Sequence, residues 1–250
     1  MSLVTTEAFV LKAFRYGETS MIYRLFTRDR GVVPVIAKGV RRPKSRFGAS
    51  LDPFHRLKVV YYDKASRDIQ TLSQVELLAA HPGVVSSLER MEAAGAWFRF
   101  LRAVVPEHAP AEPLYELAVA ALDRLEAVPV DRVRRWETYH RAMAAGRLGL
   151  APRLDACAGC GRDLPDPRGM SLAIGEGGLV CASCSGGIAG GRIRVDTDAY
   201  GLLLLYHHPD WELVAELGEP GAAEARVQEH VHRFVDWHAD LGTRVRGARR

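Results

Sequence analysis

Met21-Ile22-Tyr23-Arg24-Leu25-Phe26-Thr27, Arg28-Asp29-Arg30-Gly31, Val32-Val33-Pro34-Val35-Ile36-Ala37-Lys38 is the stretch that decides the fold. Two runs rich in β-branched and aromatic residues flank a polar turn that ends in glycine. Such runs fit a pleated surface, and the spacing predicts a β-hairpin. Pro34 has no backbone N–H to give to a ladder, so its strand is expected at an edge or beside a bulge.

Three more strands follow on either side of this hairpin. Upstream, Glu7-Ala8-Phe9-Val10-Leu11-Lys12-Ala13-Phe14 is an apolar run that stops at the turn Tyr16-Gly17-Glu18. Downstream lie Leu57-Lys58-Val59-Val60-Tyr61-Tyr62 and Ile69-Gln70-Thr71-Leu72-Ser73-Gln74-Val75. Five short strands in a flat sheet would expose hydrogen-bonding edges. Closing them into a small barrel removes those edges, and the oligonucleotide-binding (OB) barrel is the usual five-stranded solution. The expectation is an α+β multidomain chain whose residues 1–80 form an OB-fold domain.

The texture changes after His81-Pro82-Gly83. Apolar residues at Val84, Leu88, Met91, Ala94 (or Gly95), Phe98 and Leu101 have helical spacing and predict one helix from Val84 to Val105, ended by Pro106. A second helix is expected over Leu114–Leu125. A third, capped by Asp131, should run to about Leu148, with others at about 197–207 and 222–241. Trp97, Phe98, Phe100, Trp136, Trp211, Phe234 and Trp237 are read as core material, with one or two of them left as candidates for a partner groove. The domain reading is 1–80 for the barrel, 81–152 with 192–243 for a helical domain, and 153–191 for an inserted module. That insert is dense in Gly and Pro and needs a staple.

The staple is visible. Cys157-Ala158-Gly159-Cys160 is followed by 20 residues and then Cys181-Ala182-Ser183-Cys184. These are the four cysteines of the chain, and their clustering favours a metal over a secreted disulfide framework. A two-residue spacer lets one tight turn present two sulfurs to one ion. Four thiolates suit a tetrahedral Zn²⁺ and leave no open position for catalytic water, so one structural zinc per chain is expected. An iron–sulfur cluster and a dithiol redox pair remain alternatives. Arg153, Arg162 and Arg168 either balance the thiolate charge or touch nucleic acid. The histidines at 207, 208, 230, 232 and 238 do not make a second site: His230 and His232 lie about 200° apart on a helix. They are read as solvated or capping residues. Asp196 and Asp198 lead into a helix and are read as N-terminal caps.

Charge separates the chain into unlike parts. The 250 residues carry a net charge of +4, but residues 1–80 hold 14 Lys and Arg against 7 Asp and Glu, leaving 20 against 23 for the rest. No acidic residue occurs from Arg30 to Leu51, a stretch that holds Lys38, Arg41, Arg42, Lys44 and Arg46 among glycine, proline and serine. Unneutralised cations repel one another, and a phosphate backbone relieves that repulsion while releasing counterions. Phe47, Phe54, Phe14 and Tyr16 are candidate faces for base stacking. The alternative is a solvated loop with no partner. A 48% hydrophobic, 26% charged composition argues against wholesale disorder. Ala199–Tyr206, the longest clearly apolar stretch, is far too short to span a bilayer. The first residues lack the features of a signal peptide, which leads to the expectation of a soluble, cytoplasmic protein.

Glu7-Ala8-Phe9-Val10-Leu11, Tyr16-Gly17-Glu18-Thr19-Ser20, Leu25-Phe26-Thr27 and Gly31 together resemble the start of the bacterial RecO family of recombination mediators. Ala37-Lys38-Gly39-Val40-Arg41-Arg42-Pro43-Lys44-Ser45 with Leu51-Asp52-Pro53-Phe54 is similar to that family's next signature. Many members also carry a four-cysteine zinc module where Cys157, Cys160, Cys181 and Cys184 stand. The resemblance implies a non-enzymatic, nucleoid-associated DNA repair factor that binds single- and double-stranded DNA and anneals complementary strands. It implies two protein partners, RecR and single-strand-binding protein, and a role in loading RecA. It also implies phosphate contacts from Lys38, Arg41, Arg42, Lys44 and Arg46, and a helical domain that receives the acidic tail of single-strand-binding protein. The residues themselves leave two other classes open, a zinc-containing nucleic-acid-processing enzyme and a zinc-dependent transcription regulator. No phosphate-cradling GxxxxGK[ST] loop, HExxH or GxSxG occurs, and the densest basic run sits among strands rather than on a recognition helix.

Overall fold

The computed structural model describes residues 2–45, 47, 51–164, 169–188 and 192–241. Packing divides the chain into two compact units, Met1–Val128 and Pro129–Arg250.

The first unit is built on a closed barrel of five strands in the order β1-β2-β3-β5-β4. They are β1 (Ser2–Tyr16), β2 (Ser20–Thr27), β3 (Gly31–Ala37), β4 (Arg56–Asp63) and β5 (Gln70–Ala79). Strand β1 serves two neighbours, pairing Ser2–Ala8 with β4 and Ala8–Tyr16 with β2. A bulge between Val10 and Lys12 lets this long strand bend around the barrel. Closure comes from the short parallel pairing of β3 with β5, Val35 opposite Gln70 and Ile36 opposite Thr71.

Pro34 sits in a gap of that seam. Val32, two residues earlier and turned the same way, bonds through its N–H to the Pro106 carbonyl and through its own carbonyl to the His108 N–H. The β5 pairing begins only at Val35, so the missing Pro34 donor falls where no ladder bond is made.

Both barrel faces are used, which is why the strands read as continuous apolar runs rather than clean alternation. Ala8, Val10, Leu25, Val33, Val35, Leu57, Val59, Tyr61 and Leu72 point inward, joined by Phe47 and Leu51 from the connection before β4. Phe9 and Phe26, paired across β1 and β2, point outward and meet Phe98 and Tyr115, with ring centroids 5.4–5.7 Å apart. Those partners lie on α2 (Leu88–Val104) and α3 (Glu112–Leu125), which follow a single turn, α1 (Pro82–Val85). Packing therefore groups these helices with the barrel and sets its boundary at Val128, away from the change of texture near residue 80 and from the edges of 81–152 and 192–243.

The single helix expected over Val84–Val105 is broken at Ser86–Ser87. The Ser87 hydroxyl accepts from the Arg90 amide and starts α2 afresh. The break changes the face, so Leu88 and Met91 are exposed instead of buried.

Gly31 closes the hairpin with φ +62°, and a Cβ there would lie 2.2 Å from the Ala109 carbonyl oxygen and 2.4 Å from that of Pro106. Gly31→Ala combines left-handed strain with a clash against a loop that the Val32–Pro106 and His108–Val32 bonds hold in place. A loss of about 3 kcal/mol is expected, measured by urea unfolding of the barrel signal.

In the second unit a turn of 3₁₀ helix at Val130–Arg132 leads into α4 (Val133–Arg147). Asp131 lies inside that turn and does not cap α4, a correction to the sequence reading; the turn starts two residues earlier, capped by Pro129. Further on come β6 (Met170–Ala173), β7 (Gly178–Val180), α5 (Ala182–Ser185), β8 (Arg192–Val195), α6 (Thr197–Tyr206), α7 (Trp211–Ala215) and α8 (Ala222–His238). Asp196 caps α6 through the Ala199 amide at 2.8 Å. The short α7, capped by Asp210, is not visible in the apolar spacing. Trp97, Phe98, Phe100, Trp136, Trp211 and Phe234 are buried, while Trp237 is 67% exposed.

At the centre of this unit Arg135 and Glu224, nearly sealed from water, make two parallel 2.7 Å bonds between α4 and α8. The Tyr206 hydroxyl and the Gln228 amide donate to the same carboxylate, and Arg135 also caps the carbonyls of Leu217 and Gly218. Burial opposes ionisation of Glu224, but the bonds from Arg135 and Tyr206 outweigh it and hold the carboxyl below its usual range. A lowered folded-state value gives stability that is present above the ordinary carboxylate range and lost as pH falls through the folded value. Glu224→Gln is therefore expected to cost about 3 kcal/mol at neutral pH by stranding a buried guanidinium. The gap to wild type should shrink on acidification, as read from urea midpoints between neutral pH and the acid limb.

Candidate metal centre and nucleic-acid interface

The four cysteines, two pairs separated by 20 residues of chain, converge in the second unit. Their sulfurs all lie within 4.8 Å of one another, and Cys160 Sγ to Cys181 Sγ is 4.0 Å. A tetrahedron with metal–sulfur bonds of about 2.3 Å has edges near 3.8 Å, so the spacing suits one ion and is far too long for a disulfide.

Local backbone explains the convergence. The Gly161 amide bonds to the Cys157 carbonyl at 2.8 Å, turning the first knuckle through Gly161 at φ +73°. A Cβ on Gly159 would stand 3.3 Å from both Cβ and Sγ of Cys184, so glycine lets the two knuckles close. The Ala158 amide reaches the Leu179 carbonyl and the Leu179 amide the Arg153 carbonyl, tying the first knuckle to β7, which runs into the second. The Gly- and Pro-dense segment supplies two strands of a three-stranded sheet, β7-β6-β8, with Met170, Leu172, Leu179 and Val180 buried.

Burial opposes ionisation of Cys157, but the amides of Cys181, Cys160 and Gly159 prevail and bring the thiol down to about 6. Cys184, facing the sulfurs of Cys181, Cys160 and Cys157, is pushed up to about 12. A divalent cation is what allows such a quartet to ionise together. Among the described residues this is the one group of three or more His, Cys, Asp or Glu close enough to hold a metal ion. Several of the histidines have structural partners: His207 and His238 bond to the Leu203 and Ile174 carbonyls, and His232 to Thr138. Arg153 is 3.7 Å from Asp155, Arg162 is exposed, and Arg168 lies outside the described residues.

The basic segment is an arch over the first unit, held at both ends by the barrel. Ala37 and Phe47 are in the barrel core, and between them Lys38, Arg41, Arg42 and Lys44 are exposed. Arg46 lies outside the described residues. Gly39 at φ +70° and the Arg42 N–H to Gly39 carbonyl bond form the turn. Arg41 pins the arch to the β1–β2 hairpin, its amide donating to the Thr19 carbonyl and its guanidinium to the Glu18 carbonyl at 2.9 Å. That uses one of five guanidinium donors and leaves the rest outward. Among the described residues none of these four cations is in an ion pair.

Other cations of the basic N-terminal region are neutralised, which the sequence does not reveal. Arg24 pairs with Glu107, Arg28 with Glu112 and Glu116, Arg30 with Asp63 and Arg56 with Glu7. Neutralisation by Glu107, Glu112 and Glu116 falls around the start of α3, and the arch keeps its charge.

Beside the arch the outer barrel face carries a cross-strand row, Phe14 opposite Ile22 opposite Ile36 opposite Thr71. Phe14 and Tyr16 are 41% and 55% exposed, so both offer ring faces. Lys12 stands over the Phe14 ring, 4.6 Å from its centroid. Phe47 and Phe54 do not belong to such a surface: Phe47 plugs the barrel, and Phe54 packs edge-on against Phe98 at 5.3 Å. Lys64 and Arg67, in the β4–β5 connection that Gln70 braces, add two exposed cations. In OB barrels the face of the second and third strands and the connections 1–2 and 4–5 are where oligonucleotides bind.

A closed five-stranded OB-like barrel, packed helices and a four-cysteine cluster define a class of barrel-based, metal-competent proteins. The family model for the N-terminal part of Recombination protein O matches residues 1–81, and that for its C-terminal part matches residues 85–246. The chain belongs to the Recombination protein O family. It is 33% identical over 254 residues to the DNA repair protein RecO of Anaeromyxobacter sp. (strain K), covering 100% of this chain and 96% of the relative. With that of Rubrobacter xylanophilus it shares 38% over 244 residues, covering 97% and 96%, and with that of Thermobifida fusca 32% over 247 residues, covering 98% and 97%. Among the described residues no helix is long and apolar enough to cross a membrane.

Proposed function

We propose that this chain is a DNA repair and recombination mediator that binds single- and double-stranded DNA and anneals complementary strands. With RecR it helps load RecA onto DNA coated by single-strand-binding protein. The observation that carries the reading is the arch of Lys38, Arg41, Arg42 and Lys44, exposed and, among the described residues, without ion pairs, beside the Phe14–Ile22–Ile36 row. Contacts there are dominated by phosphate and are largely independent of sequence, with Arg46 joining them. Annealing follows physically, because screened phosphates let two strands approach while shallow base contacts leave pairing edges free.

Cys157, Cys160, Cys181 and Cys184 hold one structural Zn²⁺, which supplies cross-linking of the two knuckles and no chemistry on DNA. The domain reading of a DNA-binding barrel, a helical body and a zinc module at 153–191 goes with this function. Family membership and the spacing of the four sulfurs support it.

The test is the rate at which two complementary, dye-labelled strands pair with and without the protein. Severalfold acceleration, maintained when both strands carry single-strand-binding protein, is expected. Binding without any acceleration would leave a DNA-binding protein that is not a mediator.

A further inference from the structure

The first unit contains a cavity of about 210 Å³ lined from β1, from Leu51, Pro53 and Phe54 ahead of β4, and from α2. Its walls are apolar, from Leu11, Leu51, Pro53, Phe54 and Phe98. The charged groups that line it are two cations, Lys12 and Arg99, and no acidic residue does. Arg99 lies in no ion pair among the described residues, and Lys12 is the same residue that stands over Phe14 on the outer face. Lys12 is thus shared by the cavity wall and the candidate nucleic-acid interface.

The walls are fixed. Phe54 has φ +66°, a left-handed conformation that a bulky side chain rarely adopts, and such strain persists only where surroundings impose it. His81, itself buried, bonds at 2.6 Å to the Phe54 carbonyl, and the Phe54 ring stands edge-on against Phe98. Opposite, α2 presents Gly95, where a Cβ would meet nothing but the Arg99 guanidinium at 3.4 Å. Gly95 therefore lines the cavity with backbone alone, beside the Arg99 guanidinium.

Resting on the proposed DNA binding, we propose that this cavity takes one unstacked base of a single strand, with preference for thymine. Cavity size admits one ring system rather than an extended ligand. Lys12 and Arg99 are donors only, so they favour a base edge made of acceptors. Thymine offers carbonyl oxygens and a methyl group that suits the apolar wall. Cytosine puts an exocyclic amino donor where thymine has a carbonyl, so that donor would face cations, and adenine has no carbonyl at all; guanine keeps acceptors at O6 and N7 but has no methyl group for the apolar wall. Duplex DNA keeps its bases stacked and does not use the slot.

Gly95→Met fills the slot from a helix position where methionine is the better helix former, and pushes the Arg99 guanidinium aside while leaving Lys12 in place. The experiment compares wild type and Gly95→Met on oligothymidylate and oligocytidylate of about twelve nucleotides and on duplex DNA. Wild type should bind oligothymidylate about tenfold tighter than oligocytidylate. In Gly95→Met that preference should collapse toward unity, with duplex affinity and thermal unfolding unchanged. A thymine preference that is absent in wild type, or that survives in Gly95→Met, overturns the slot. So does an equal loss on all three DNAs, which would mark Gly95 as structural. So would a Gly95→Met that binds DNA as wild type does but loses a peptide with an apolar, acidic end, since that result would assign the cavity to a protein partner. Absence of any DNA binding by wild type would instead bring down the parent reading.

Discussion

Replacing Arg41, Arg42 and Lys44 by Glu is expected to lower single-strand affinity about a hundredfold at moderate salt, about 2.7 kcal/mol. Three exposed cations without ion pairs are exchanged for three anions facing phosphate, and charge-assisted contacts of this kind contribute on the order of 1 kcal/mol each. The fold should tolerate the change. All three side chains are exposed, and among the described residues their one side-chain hydrogen bond is from Arg41 to the Glu18 carbonyl. The arch is anchored by Phe47 and Leu51 in the barrel and by the backbone bond from Arg41 to Thr19, neither of which depends on the charges. Fluorescence anisotropy gives the affinity, and an unchanged unfolding midpoint shows that the barrel is intact. The matching reversal at Arg24 or Arg56 should act differently. Those residues hold Glu107 and Glu7, so their loss would reduce stability before it reduced DNA binding.

Cys157→Ser carries the second large effect. Cys157 is the buried member of the quartet, and its sulfur accepts from the Cys181 amide at 3.3 Å, so it joins the two knuckles before any ion is counted. A structural four-thiolate site contributes folding free energy directly, and a serine hydroxyl is a poor substitute for a thiolate. Zinc content measured by elemental analysis should fall from one ion per chain to near zero. Limited proteolysis should then cut within 153–188 while the fragment 1–128 stays resistant, because its core owes nothing to the cysteines. A chelator should reproduce this pattern in wild type. One zinc per chain retained in the variant would remove these four residues as the ligand set.

Legibility in the sequence followed range. The five strands could be read because each is a local run of β-branched and aromatic residues, and the cysteine centre because ligand spacing is local within each knuckle. Closure by the parallel β3–β5 seam could not, since two paired positions separated by 35 residues leave no periodic trace. The same distance hid the ion pairs: Arg24 and Arg28 find their acidic partners more than 80 residues away, so their neutralisation leaves no local trace. Phe47 stood among glycine, serine and arginine and read as a stacking platform. A small barrel must fill its interior, and this residue does so from a loop. The break at Ser87 was missed because apolar spacing runs through it, and only the cap hydroxyl marks a new helix. In the site, the arch was visible as a run without acidic residues. Lys12, Phe14 and Ile36 became neighbours of it only through strand register.

The most direct measurement is the dependence of single-strand affinity on salt, for wild type and for the variant with Arg41, Arg42 and Lys44 changed to Glu. If Lys38, Arg41, Arg42, Lys44 and Arg46 each neutralise a phosphate, the log–log slope should be about −3.5 for wild type and shallower by about 2 in the variant. A wild-type slope near zero, or the same steep slope in both proteins, would contradict the assignment of the arch as the DNA-binding surface.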